Sequence, residues 1–196
     1  AAIVAAADSQ HKSKLRQAFE GDGAFPRTFK KVLANAAETD EGKNALLEAA
    51  GYAGRSGHSQ ITGDAEIFVF DPKNIRSKFA KFDPAQSDSP RLLDQKPELP
   101  MDEASRMQRR RDLGFSDETY YHGTNRDFEG FNLSLAGQRD PGDYGRGVYL
   151  SKDPETANGY VVDRREGGNV MPLNVKGKLL KVNTKDGWPE WLENTP

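Results

Sequence analysis

Three observations predict an α+β fold. Short apolar, β-branched or aromatic runs recur at residues 66–70, 147–151 and 170–176, as strands require. The first half instead carries amphipathic helical spacing, clearest at residues 40–50. Glycine and proline punctuate the changes between the two. A length of 196 residues sets one domain of ordinary size. The hydrophobic fraction of 35% and the charged fraction of 30% give an adequate core under a very polar surface. A net charge of −2 provides no general attraction to nucleic acid or to an anionic membrane. Cysteine is absent, which excludes a disulfide framework and a thiolate metal site.

Taken in order, residues 1–19 read as a first amphipathic helix carrying Leu15, Ala18 and Phe19, ended by Gly21-Asp22-Gly23. Phe25-Pro26 starts a second, with Phe29, Val32 and Leu33 on one face. The third spans 40–50, with Leu46 and Leu47 buried and Gly51 as its stop. These helices form a packed layer or, on a sharper reading, a lid over a nucleotide pocket. Residues 51–63 read as a loop with exposed Arg55 and His58, followed by a strand at 66–70 that Asp71-Pro72 ends. Ile75, Phe79 and Phe82 suggest a short helix. Four prolines between 83 and 100 mark a flexible linker. Residues 101–113 form a charged helix with Met107 and Leu113 inward; Arg109-Arg110-Arg111 read as a solvated face or as a contact for a pyrophosphate. Beyond residue 160, strands are expected at 170–176 and, past Gly177, at 179–183, with Trp188 and Trp191 as anchors.

The functional signal lies between residues 120 and 160. Tyr120-Tyr121 leads into His122-Gly123-Thr124, which offers an imidazole beside a bare glycine backbone. A Gly-, Asp- and Arg-rich loop then enters the strand of Tyr149, and a helix capped by Ser151 or Asp153, with Pro154 in its first turn, carries Tyr160 eleven residues further on. Two phenol rings facing across a slot would stack a flat heteroaromatic amide, whose carboxamide would bond the Gly123 backbone.

This pattern resembles the ADP-ribosyltransferase family, in its His-Tyr-Glu branch of diphtheria-like toxins and poly(ADP-ribose) polymerases. His122-Gly123, Tyr149, Tyr160 and Glu66, in the run Asp64-Ala65-Glu66-Ile67, match its elements. The resemblance implies two small packed β-sheets with a helical insertion, and NAD+ as co-substrate without a metal. The family's Glu strand comes last, whereas Glu66 precedes His122. The chain therefore reads as a circular permutation or as parts of two tandem domains. Residues 1–82 hold the helical segment and the Glu strand, 83–100 the linker, and 101–196 the half with the His and Tyr motifs; one composite domain is expected. Joining Thr195-Pro196 to Ala1 gives a capped helix start that restores the usual order.

The resemblance implies that Glu66 bonds the nicotinamide-ribose hydroxyl and assists the acceptor, and that His122 holds the distal ribose. Tyr149 and Tyr160 would sandwich the nicotinamide, with Gly123 and Thr124 beside it. Glu66, His122 and Tyr149 are thus the expected catalytic residues. Thr156 stands where many members place a serine, and the stretch before Glu66 is the candidate acceptor loop. Asp64 lies two residues before Glu66, yet the Arg-Ser-Glu context of arginine-modifying toxins is absent. The expected activity is mono-ADP-ribosyl transfer to a macromolecular acceptor, protein rather than nucleic acid, by a toxin or phage-type effector. An immunity protein or antitoxin would be a further partner. The alternatives are NAD+ hydrolysis and a non-catalytic NAD-binding or interaction module. Residues 1–7 are too short and lack the basic start of a signal peptide, and no run spans a membrane. The cytosol, or delivery into a target-cell cytosol, is the expected location.

Overall fold

The structure, a computed structural model, describes residues 39–58, 63–93, 99–136, 142, 144–162 and 167–182. The helices expected at 1–19 and from Phe25-Pro26, the joined ends, and Trp188 and Trp191 lie outside the described residues.

Helix α1 (Asp40–Ala49) starts where Thr39 accepts the Gly42 N–H at 3.1 Å, with Asp40 and Glu41 at the positive end of the helix dipole. It ends before Gly51, whose φ of 87° suits only glycine cheaply. Strands β1 (Tyr52–His58), β2 (Ala65–Val69) and β3 (Ile75–Ser77) follow. Asp71 and Pro72 terminate β2 by opening a 3-10 turn over Pro72–Asn74. Helix α2 (Glu103–Asp112) is capped by Asp102 and precedes β4 (Tyr120–Thr124), β5 (Val148–Ser151), helix α3 (Pro154–Val162), β6 (Asn169–Val175) and β7 (Lys178–Lys181).

Among the described residues, seven strands join one mixed sheet in the order β3-β6-β4-β5-β2-β1-β7. This corrects the expectation of two small packed sheets. The continuity is narrow at one place: β4 meets β5 only at Tyr121–Ser151, whereas β4 and β6 share five residue pairs and β2 and β5 share four. A three-stranded part therefore adjoins a four-stranded part across one pair. Strands from before and after the expected linker interleave, so both halves build a single sheet.

Apolar alternation sorts two cores onto opposite faces. Ile67, Val69, Val148 and Leu150 belong to one, with Ile75, Leu92, Tyr120, Leu173 and Val175. Phe68 and Phe70 belong to the other, with Leu47 of α1 and Tyr144, and Tyr149 packs against it.

Other sequence expectations are also corrected. Residues 52–58 are strand rather than loop, and Arg55 is fully buried. Ile75 opens a strand instead of a helix, because it pairs with Val175; Phe79 is left exposed and Phe82 turns inward against Phe115 at φ 55°. The linker is docked where it is described: Leu92 is core and its N–H bonds the Glu129 carbonyl at 2.7 Å. The arginine run is not a solvated face throughout. Arg110 is buried and paired with Asp117, and Arg109 donates to the carbonyls of Lys81 and Pro100.

Candidate functional site

Three neighbouring strands, β4, β5 and β2, carry the three expected catalytic residues. Glu66 stands near the start of β2 and is buried at 9% exposure. It lies opposite Ser151, while Phe68, two residues on, lies opposite Tyr149. Directly paired residues share a face, so Glu66, Phe68, Tyr149 and Ser151 all point to the α1 side of the sheet. Ser151 is also the partner of Tyr121 on β4. Two strand spacings, about 10 Å, thus separate the Glu66 and Tyr121 backbones.

His122 reaches this group differently. Alternation sets it on the Tyr120 side of β4, away from Tyr121. Its Nδ1 nevertheless lies 2.9 Å from the Tyr149 carbonyl, where the two strands have stopped pairing. A carbonyl only accepts, so Nδ1 carries the proton and Nε2 is left as an acceptor. Burial lowers the imidazole pKa from its ordinary value, and the bond to Tyr149 opposes that shift less strongly. The neutral ring stands edge-on to Phe131, at 4.9 Å and 90°.

Tyr149 is held at its phenol end. Its hydroxyl accepts the Tyr144 N–H at 2.8 Å and donates to the Gly145 carbonyl at 2.8 Å. Phe68 meets its ring edge-on at 4.9 Å, and Tyr144 lies parallel to it at 6.5 Å and 7°. Tyr160 sits on α3 with 46% of its surface exposed.

Gly123 has a packing duty of its own. A Cβ there would fall 1.8 Å from the Ala157 carbonyl oxygen, so the absent side chain is what lets α3 rest on β4. Thr124 accepts the Arg126 N–H at 3.2 Å and Thr156 donates to Asp153 at 3.3 Å. Both hydroxyls serve local turns. His58 is exposed at the end of β1, and Asp64 is exposed just before β2.

Sequence reasoning missed Arg55 and Tyr144. Arg55 donates to the Tyr144 carbonyl at 2.9 Å and to Asp40 at 3.2 Å, with its guanidinium 4.3 Å from the centre of the Tyr144 ring. Burial lowers its pKa and the Asp40 carboxylate opposes this; arginine stays charged regardless. The available signal was Gly54 and Gly57 flanking it. A Cβ at Gly57 would lie 2.7 Å from the Tyr144 hydroxyl, so these glycines admit large neighbours.

No family model, curated protein or solved structure matches the chain. Among the described residues no helix is long and apolar enough to cross a membrane.

Proposed function

We propose that the protein is a mono-ADP-ribosyltransferase of the His-Tyr-Glu type, which cleaves the nicotinamide–ribose bond of NAD+ and passes ADP-ribose to a macromolecular acceptor. One observation carries the reading: β2 sets Glu66 beside the Tyr149 strand, itself next to the His122 strand, although Glu66 lies far upstream in sequence.

Cleavage passes through an oxocarbenium-like centre, and the pyridinium leaves without strong acid assistance. The reaction needs orientation and nearby negative charge. Glu66 supplies the charge and bonds the ribose hydroxyl. The Nε2 of neutral His122 accepts a hydrogen bond from a hydroxyl of the distal ribose. The ring of Tyr149, its hydroxyl already engaged, offers a face for stacking, and Tyr160 on α3 is exposed enough to close over it.

The test is incubation of purified protein with labelled NAD+ and a whole-cell extract, followed by separation of protein, RNA, DNA and free nucleotide. Label on protein is the expected result. Label released only as free ADP-ribose would convert the reading to NAD+ hydrolysis. No nicotinamide release, together with no NAD+ binding in calorimetry, would end it.

A further inference from the structure

We infer that Arg55 is a positioning residue that sets the Tyr149 ring through Tyr144, an inference that rests on Tyr149 forming a wall of the NAD+ site. The turn before β5 is rich in glycine: Gly142 and Gly145 take φ of 65° and 84°, and Gly147 packs on Phe68. Such residues bring no side chains to anchor the turn. Tyr144 is a buried side chain within it, at 4% exposure, and it is gripped from several directions. Its carbonyl accepts from Arg55 at 2.9 Å and from Asn44 of α1 at 2.9 Å, which uses both lone pairs. Its hydroxyl donates to the His58 carbonyl at 2.9 Å, at the end of β1. The guanidinium face covers its ring.

Held in this way, the Tyr144 N–H is aimed at the Tyr149 hydroxyl, which passes the contact on to Gly145. Arg55 touches neither the reacting bond nor the proposed substrate. It acts by fixing the carbonyl and ring of Tyr144, the residue whose N–H holds the phenol. A guanidinium suits the task because its Nη2 donates to the Asp40 carboxylate and to the Tyr144 carbonyl together while its plane stacks on the Tyr144 ring. Lysine would keep the charge and its donors and lose the plane.

Asn44→Ala removes one donor from the Tyr144 carbonyl, and Arg55→Lys removes the guanidinium plane stacked on the Tyr144 ring. The expected result in both folded variants is a KM for NAD+ raised roughly three- to tenfold, the scale of one displaced aromatic stack. The kcat should stay within about twofold, because the stack acts in the ground state as well as the transition state. A purely structural role would lower the amount of folded protein and leave the KM of the remainder unchanged; that outcome overturns the inference. Should Arg55→Lys fail to fold, Asn44→Ala decides alone. A second readout needs no turnover: in 13C-tyrosine-labelled protein, the Tyr149 ring signal, assigned with Tyr149→Phe, should move in both variants. Wild-type protein inactive on NAD+ with a shifted Tyr149 signal would sink the transferase reading and keep the positioning role. An unmoved signal would sink the positioning role itself.

Discussion

On the four-stranded part of the sheet, β5-β2-β1-β7, Tyr149 has its hydroxyl engaged twice and its ring against Phe68, over a buried arginine. On the three-stranded part, β4-β6-β3, His122 is placed by strand register opposite Met171, by two phenylalanine edges and by its bond to the Tyr149 backbone. The two parts consequently offer different things to a ligand. Tyr149 has spent its polar atom and presents a ring. His122 has spent Nδ1 on holding itself and presents Nε2. On the proposed reading, stacking falls to one side of the narrow β4–β5 junction and hydrogen bonding to the other, with Glu66 on the stacking side.

The sharpest way to test this division is to compare Glu66→Gln with His122→Ala. Glu66→Gln should lower kcat by about 10²–10³-fold with NAD+ affinity nearly intact, since its charge acts on the developing cation. His122→Ala should weaken NAD+ binding along with turnover, because its contact exists in the ground state. Turnover and calorimetric affinity, measured on variants shown folded by circular dichroism, check both. Normal activity in Glu66→Gln would remove the mechanistic basis of the proposal.

A second comparison concerns stability. Gly123→Ala drives a methyl into the α3 backbone and should cost about 1–3 kcal/mol or more. Gly147→Ala meets the Phe68 ring at 2.3 Å, and a ring can turn where a helix backbone cannot. Urea midpoints should fall further for Gly123→Ala. The reverse ranking would mean that α3 is not seated on β4 as described.

The smallest expected effect is a pH dependence confined to the histidine side. The folded pKa of His122 lies below its ordinary 6.5, so the unfolded chain takes up the proton first as pH falls. The stabilising contribution is full above that ordinary value and drains as pH drops through the folded pKa. The urea midpoint of wild type should thus fall more between about pH 8 and about pH 5 than that of His122→Gln. Equal losses in the two proteins would show that His122 does not titrate in this way.

The candidate site residues stood out in the sequence because their patterns are local. His122-Gly123 and the Tyr149–Tyr160 spacing are short-range patterns, and Glu66 is conspicuous as a charge near the start of an apolar strand. The helix at α1 was readable from its acidic start at Asp40-Glu41, its paired leucines and the following glycine. Residues 75–82 misled for a local reason too: Ile75, Phe79 and Phe82 have helical spacing, yet pairing of Ile75 with Val175 outweighs that preference. Propensity is a weak prior, and a strand partner overrides it.

By itself the sequence determined the α+β class, α1 and β2 to within one residue at each end, and the residue types available for chemistry. Only the tertiary structure decided that β2 lies beside β5, that the seven strands form one sheet, and that Arg55 is interior. The physical reason is range. Alternation and capping act between residues a few positions apart, whereas Arg55 is buried through partners 15 and 89 residues away in the chain. A guanidinium leaves water only when such partners converge on it, and no local pattern records that convergence.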